Sequence, residues 1–113
     1  MEPFKGIVQR GAQRGSALGY PTINIELKAN DVSGVYAALV RIDKTIHRAA
    51  AFADPSRHIL EAYIFGISEM LYGREVTIEL KHKIREGGKF ENDELLKKAI
   101  AADITAIQEY FEN

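Results

Sequence analysis

Hydrophobic and polar residues alternate over roughly the first 90 positions in a pattern that predicts short strands joined by turns. A mostly apolar stretch, Val35 to Ile42, precedes Asp43-Lys44, which we expect to form a tight hairpin turn into a return strand over 47–52. The stretches 59–65 and 76–85 alternate in the same way, as strands do when one face meets a core. Several strands of this length and spacing predict a barrel or a sandwich.

The alternation also assigns faces within the two later strands. In 59–65, Glu61 and Tyr63 share one face, and the other face is apolar. In 76–85, one face is predicted to carry four apolar residues, which are Val76, Ile78, Leu80 and Ile84. His82 shares this inward phase, and we expect a core histidine with a polar partner rather than a metal ligand.

The end of the chain has the period of an amphipathic helix. The positions that recur at i, i+3, i+4 and i+7 are Leu96, Ala99, Ile100, Asp103, Ile104, Ile107 and Phe111. Asn92 suits an N-cap, and Asp93 and Glu94 suit the positive start of a helix. We therefore expect a single domain over 1–113, mainly β over about 4–90, with one C-terminal α-helix over about 92–112 that packs on it.

Composition excludes several kinds of site and partner. The 113 residues contain no cysteine, which excludes disulfides, Cys-ligated zinc and thiol catalysis. Lys plus Arg is 15 and Asp plus Glu is 16, so the basic excess that nucleic-acid binding needs is absent. No apolar run approaches the roughly 20 residues that span a bilayer, and no signal-peptide core begins the chain. We expect a cytoplasmic monomer with no nucleic-acid or membrane partner.

The segment 11–24 is the first candidate ligand site. It has a loop of glycines, small residues and one arginine, in which the candidate anion-binding residues are Gly11, Arg14, Gly15, Ser16 and Gly19. Thr22 and Asn24 follow two positions apart, so an extended strand would place both on one face. Their hydroxyl and amide oxygens suit a hard cation such as Mg²⁺ together with phosphate. An ordinary glycine-rich turn is the alternative, and composition alone favours it.

Two charged residues in the later strands are further candidates. Glu61 lies in an apolar strand, and partial burial would raise its pKa, which suits a general base. A solvent-facing carboxylate is the alternative, because acidic side chains are seldom buried without a partner. Arg85 ends a strand beside Gly87 and Gly88 and could face a ligand, although a surface salt bridge is the simpler interpretation.

From about residue 4 to 111, the order of these segments resembles the riboflavin kinase family. The stretch Gly11-x-x-Arg14-Gly15-Ser16-x-Leu18-Gly19-Tyr20-Pro21-Thr22-Ile23-Asn24 is similar to the family's glycine-rich loop and Pro-Thr-x-Asn motif. Three later stretches match in the same order: Gly34-Val35-Tyr36, Leu60-Glu61-Ala62-Tyr63-Ile64 with Leu71-Tyr72-Gly73, and Ile84-Arg85-Glu86-x-x-Lys89-Phe90. The resemblance implies a small six-stranded Greek-key β-barrel with a C-terminal helix.

The resemblance also implies an activity, the ATP-dependent phosphorylation of riboflavin at its 5′-hydroxyl to give FMN and ADP. Glu61 would be the general base, and Thr22 and Asn24 would hold Mg²⁺, or another divalent cation, and the ATP phosphates. The loop from Gly11 to Gly19 would close over the nucleotide. Arg85 would lie on the flavin side.

The chain departs from the family pattern at several positions. Phe52 stands near a usual glycine, where its ring could crowd the ligand or repack the barrel, and the loop 54–58 is short. Ile23, Tyr63 and Gly66 replace residues that are commonly alanine, histidine and aspartate. These departures motivate one alternative, a flavin- or nucleotide-binding barrel with weak or no turnover. A purely structural or interaction domain is the second alternative.

Overall fold

The computed structural model describes residues 2–10, 18–69 and 71–113. Six strands precede one helix, with the bounds β1 Phe4–Ile7, β2 Ile23–Glu26, β3 Gly34–Ile42, β4 Thr45–Asp54, β5 Ile59–Ile64, β6 Glu75–Arg85 and α1 Asp93–Glu112. The hairpin turn at Asp43-Lys44 is confirmed, and its first residue has a φ of 53°. The predicted return strand is longer than expected and runs through to Asp54.

The strands form one antiparallel sheet in the order β1-β6-β3-β4-β5-β2. Because β3, β4 and β5 are consecutive and β6 returns beside β3, the arrangement is a Greek key. The two edges meet where the Gln9 N–H donates to the Asn24 carbonyl oxygen over 2.8 Å. Gly6 permits the close approach, since a methyl group built on it would lie 3.0 Å from Cβ of Ile25. The sheet is thus a nearly closed barrel, which confirms the expected fold.

Two apolar clusters hold the fold together. The barrel interior contains the largest fully buried side chains of the strands and loops, which are Ile25, Leu27, Val40, Leu60, Val76 and Ile78. A smaller cluster of Val35, Ala37 and Ile107 lies on the outside of the barrel, where α1 packs against β3. Each fully buried Ile or Leu contributes about 1.5–3 kcal/mol relative to an exposed one, so the interior of the barrel dominates its stability.

Two bulges in β6 change the faces that simple alternation predicts. The pairing with β3 skips Lys81 and then Ile84, and an unpaired residue of this kind shifts the phase of the side chains that follow. The predicted core position of His82 is therefore wrong, because its side chain is exposed and its ring stacks on Tyr110 with centroids 5.0 Å apart. The second bulge directs Arg85 to the outer face of the barrel.

Helix α1 begins as the sequence predicts. The N–H of Leu95 donates to the side-chain oxygen of Asn92 over 2.9 Å, which confirms the cap. The buried residues of the helix are Asp103 and Ile107, whereas Leu96 and Ile100 nearer its start line a cavity. Within the described parts of the chain, no helix has both the length and the apolar character that crossing a membrane demands.

Candidate active site

One row of side chains crosses five strands on the outer face of the barrel. Asn24 of β2 pairs with Glu61 of β5, and Glu61 pairs with Phe52 of β4. Phe52 pairs in turn with Val35 of β3, which pairs with Arg85 of β6. Directly opposed residues of antiparallel strands point to the same side of a sheet. The row therefore brings the predicted base, one predicted metal ligand and the predicted flavin residue onto one surface.

A cavity of about 640 Å³ lies over this row. Barrel residues form its floor, and the segment 87–90 and helix α1 form walls. Its apolar lining comes mainly from Val35, Phe52, Tyr63, Phe90, Leu96 and Ile100. The polar groups that reach it include Thr22, Glu61 and Arg85. A mostly apolar cavity of this size with a few convergent polar groups is typical of a small-molecule site.

Glu61 is the half-buried carboxylate of the cavity floor. Its side chain is 21% exposed, and Oε1 lies 3.8 Å from Nη2 of Arg57. Burial raises the pKa of Glu61 above its ordinary value, the nearby cation of Arg57 opposes this rise, and the charge of Asp54 adds to it. Among the residues that the structure describes, no hydrogen bond engages the carboxylate. It is placed to accept a proton from a molecule in the cavity.

Arg57 was not singled out by sequence reasoning, although it controls the charge beside Glu61. Its Nε donates to Oδ2 of Asp54 over 2.6 Å, and the hydroxyl of Ser56 donates to the other carboxylate oxygen over 2.7 Å. These two hydrogen bonds lower the pKa of Asp54. The short loop 54–58 thus orients a guanidinium toward the site. The Asp-Pro-Ser-Arg sequence signalled the turn but gave no indication of what it faces.

Asn24 and Thr22 share the outer face of the chain that runs into β2. Asn24 is only 2% exposed, and its Oδ1 is the buried side-chain oxygen for which the described residues supply no hydrogen-bond donor. Thr22 lines the cavity two residues earlier. Gly19 has a φ of 93°, a conformation that glycine adopts readily. The predicted loop residues Gly11, Arg14, Gly15 and Ser16 lie outside the described residues.

A second cavity of about 650 Å³ lies next to the first. Its lining includes four basic side chains, which are Arg10, Lys28, Arg57 and His58, and one carboxylate, Glu26. Arg57 lines both cavities. The guanidinium carbon of Arg10 lies 4.5 Å from the ring centroid of Tyr72. This cavity suits an anion, and its residue Arg10 directly precedes the glycine-rich loop in the chain.

Arg85 reaches the first cavity but is held by an ion pair. Its Nε and Nη2 donate to the two carboxylate oxygens of Asp103, each over 2.8 Å, and Nη1 donates to the carbonyl oxygen of Glu86 over 3.0 Å. The side chains of Arg85 and Asp103 are 31% and 10% exposed. The sequence did signal Asp103, as a charge within the apolar stripe of the helix. The pair fixes α1 against the end of β6.

A group of aromatic side chains also contributes to the first cavity. Tyr63 lies between Tyr20 and Phe65, with ring centroids 5.5 and 5.7 Å away and rings tilted edge-to-face. Tyr20 and Tyr63 line the first cavity. Sequence reasoning noted Tyr63 as a departure, and alternation placed it on the face of Glu61, but Tyr20 was missed because it lies outside any regular strand.

Comparisons with known proteins identify the family of the chain. The family model for riboflavin kinase matches residues 3–111. The RNA-binding riboflavin kinase RibR of Bacillus subtilis is 30% identical over 120 aligned residues, which cover 99% of this chain and 52% of that protein. The bifunctional riboflavin kinase/FMN adenylyltransferase of Mycoplasma pneumoniae is 32% identical over 118 residues, which cover 98% of this chain and 44% of that protein. The chain spans about half the length of these two relatives.

Solved structures give the same fold. The riboflavin kinase of Trypanosoma brucei superposes with a TM-score of 0.69 at 21% identity, covering 100% of this chain and 82% of that one. A Streptococcus pneumoniae protein described as a macrolide-efflux protein superposes with a TM-score of 0.81 at 29% identity, covering 94% of this chain and 38% of that one. Because the family model matches nearly every residue, the chain belongs to the riboflavin kinase family.

Proposed function

We propose that this chain transfers the γ-phosphoryl group of ATP to the 5′-hydroxyl of riboflavin, giving FMN and ADP. The observation that carries the proposal is the position of Glu61 between Asn24 and Phe52 on the cavity floor. The proposed base therefore has an oxygen ligand for a cation on one side and an apolar ring on the other. Phosphoryl transfer depends mainly on such positioning and on neutralising phosphate charge.

The acceptor would occupy the cavity over the row. The apolar walls from Phe90, Leu96 and Ile100 suit the flavin ring system, and the ring of Phe52 lies on the floor beneath them. The ribityl chain would then extend toward Glu61, with its terminal hydroxyl at the carboxylate. With the acceptor bound, the apolar walls would shield the reacting groups from water, which would otherwise compete as the acceptor.

Glu61 would act as the general base. As the 5′-oxygen attacks the γ-phosphorus, Glu61 accepts the hydroxyl proton and a new O–P bond forms. The bond from the γ-phosphorus to the bridging oxygen breaks, and ADP leaves with the electron pair. The raised pKa of Glu61 makes its carboxylate a stronger base than a solvent-exposed one. A positioned base of this kind contributes typically about 10²–10⁴-fold to the rate.

We propose Thr22 and Asn24 as ligands of a divalent cation, for which Mg²⁺ is our choice. The buried Oδ1 of Asn24 fits this role, because no donor among the described residues engages it and hard cations prefer oxygen. Phosphates and water would complete the ligands of a cation held by Thr22 and Asn24, and the cation would supply neutralisation of charge on the transferred group. In keeping with this, the described residues include no cluster of three or more His, Cys, Asp or Glu residues that would form a metal site made of protein alone.

ATP would bind on the side of the second cavity. The cations of Arg10, Lys28 and Arg57 suit a polyphosphate, and Arg57 also reaches the carboxylate of Glu61. The predicted phosphate-loop residues stay part of the proposal, namely Gly11, Arg14, Gly15, Ser16 and Gly19. The donor would then meet the acceptor where the two cavities share Arg57.

We further propose that one copy of the chain suffices for the reaction. Glu61, Thr22 and the residues of the cavity walls line one cavity within a single chain, and Asn24 pairs with Glu61 in the same chain. A flavin-binding barrel without turnover is disfavoured, because a binder needs neither Glu61 as a base nor the pair Thr22 and Asn24 as cation ligands.

Product formation tests the proposal. The purified chain is incubated with riboflavin, ATP and Mg²⁺, and the flavins are separated by chromatography and detected by fluorescence. The proposal expects FMN and ADP in equal amounts, and no FMN without ATP. Riboflavin binding without FMN would instead support the binding barrel, and neither binding nor product would support a structural domain.

A further inference from the structure

Phe52 makes a contact that joins the cavity floor to one of its walls. A methyl group built on Gly87 would lie 2.9 Å from Cε1 of Phe52 and 3.4 Å from Cζ. The backbone of Gly87 therefore rests directly against the edge of the ring. The same methyl group built on Gly88 would meet nothing within 4 Å. The close approach is specific to the first of these two adjacent glycines.

The segment 86–90 is otherwise anchored at its two ends. At the start, the carboxylate of Glu86 accepts a hydrogen bond from the hydroxyl of Ser33 over 3.1 Å. At the end, the ring of Phe90 lies 5.6 Å from the guanidinium carbon of Arg85. Between these anchors the segment is exposed, and the ring of Phe52 supports its middle.

The position of the ring is itself set by the sheet. Phe52 pairs with Glu61 on one side and with Val35 on the other, and it belongs to the cluster that seals α1 to the barrel. Its half-buried ring also lines the cavity. A shift of this ring would consequently move the wall relative to the floor.

We propose that Phe52 is a positioning residue for the acceptor: by supporting Gly87, it fixes the distance between the 86–90 wall and the cavity floor, and so sets the width that a planar ring system must fit. The identity of that acceptor as riboflavin rests on the proposed function. The ring contact rests on the geometry alone. From the cavity floor, Phe52 thus supports the binding wall and does not block the cavity.

Four variants test the contact, namely Phe52→Leu, Gly87→Ala, their combination and the matched control Gly88→Ala. Leucine keeps an apolar side chain but lacks the two ring atoms that approach Gly87. The first readout is the melting temperature of the ligand-free protein. We expect Gly87→Ala to melt at a lower temperature than Gly88→Ala, because only the methyl group at Gly87 meets the ring. In the Phe52→Leu background, Gly87→Ala should cause no further loss, since the ring atoms that it would meet are gone. Circular dichroism checks that each variant folds.

The second readout is the split between KM for riboflavin and kcat at saturating ATP. Gly87→Ala is expected to raise KM roughly tenfold with little change in kcat, because it displaces a binding wall and not the reacting groups. In the Phe52→Leu background the same substitution should add less than about twofold, since the clash is gone. Equal melting temperatures of Gly87→Ala and Gly88→Ala, or additive effects in the double variant, would overturn the proposal. If the wild type forms no FMN, the proposed function fails and the melting temperatures alone decide on the contact.

Discussion

Asn24 and Glu61 are direct cross-strand partners, so a buried amide and a half-buried carboxylate stand side by side on the outer face of the barrel. A buried polar atom without a partner costs about 1–3 kcal/mol, and desolvation of a carboxylate adds a further cost. Both unfavourable contributions to the free energy of folding therefore arise at this pair of residues. A bound cation would satisfy the amide oxygen, and a substrate hydroxyl would satisfy the carboxylate.

Replacing Asn24 by leucine separates stability from function. The substitution Asn24→Leu keeps the branched shape and removes the buried oxygen for which the described residues supply no donor, so the metal-free protein should gain about 1–3 kcal/mol in urea unfolding. Stabilisation by ADP with Mg²⁺ should disappear, because a ligand that no longer binds cannot shift the melting temperature. The exposed Asn30→Leu is the control and should change neither quantity. An intact ADP-dependent shift in Asn24→Leu would rule out the proposed ligand.

The raised pKa of Glu61 predicts how stability depends on pH. The folded state holds the proton more tightly than the unfolded state, so stability is lost as pH rises from the ordinary value of 4.5 through the folded pKa. Above the folded pKa the whole cost is present. Glu61→Gln should therefore raise the melting temperature of the ligand-free protein on the alkaline side of that pKa, and the gain should shrink as the pH falls toward 4.5 and below. A difference between the two proteins that does not change with pH would contradict this.

Arg57 is expected to tune the base. Removing its charge takes away the interaction that lowers the pKa of Glu61 and frees the charge of Asp54, which raises it. In Arg57→Ala the acidic limb of the kcat/KM profile should move to higher pH. A contact between Arg57 and the ATP phosphates would also be lost in this variant. kcat/KM for ATP should then fall roughly ten- to hundredfold, because one hydrogen bond to a charged group is removed.

A second arginine offers a matched control for that experiment. Arg74 forms an exposed ion pair with Asp43 at a distance of 2.5 Å and lines neither cavity. Arg74→Ala should leave the pH profile and the ATP dependence as they are in the wild type. If Arg57→Ala and Arg74→Ala had the same pH profile and the same dependence on ATP, Arg57 would not be part of the site.

The pair of Arg85 and Asp103 should contribute to stability and hold the cavity wall. Asp103→Ala leaves a partly buried guanidinium with only one backbone acceptor, so the free energy of unfolding should fall by about 1.5–3 kcal/mol. KM for riboflavin should rise in the same variant, because the start of the 86–90 wall and α1 lose the ion pair that joins them. Glu109→Gln, an exposed change on the same helix, should do neither. If Asp103→Ala lowered the free energy of unfolding no more than Glu109→Gln does, the ion pair would be a solvated surface salt bridge.

Local features of the fold could be predicted from the sequence because they depend on neighbours in the chain. The hairpin turn at Asp43, the strand around Glu61 and the capped helix after Asn92 all follow from side-chain periodicity and turn chemistry. Asp103 was visible as a charge in an apolar stripe. These features need no knowledge of which strands are paired.

Features that depend on pairing could not be predicted in this way. The unpaired residues Lys81 and Ile84 exist only relative to β3, and they place His82 outside the core. Likewise, the contact of Phe52 with Gly87 and the reach of Arg57 toward the base depend on how distant segments meet. Alternation along one strand indicates which face is buried, but it does not reveal which strand will pair with it or where a bulge interrupts the pairing.

The most direct test of the central claim is the initial rate of FMN formation by the wild type and by two carboxylate variants. Glu61→Gln removes the proposed base, and Glu79→Gln changes a strand carboxylate that lines neither cavity. With Glu61 as the base, the rate should fall about 10²–10⁴-fold in Glu61→Gln and stay at the wild-type value in Glu79→Gln. FMN formed at the wild-type rate by Glu61→Gln would contradict the assignment of the base, and no FMN from the wild type would contradict the proposed activity.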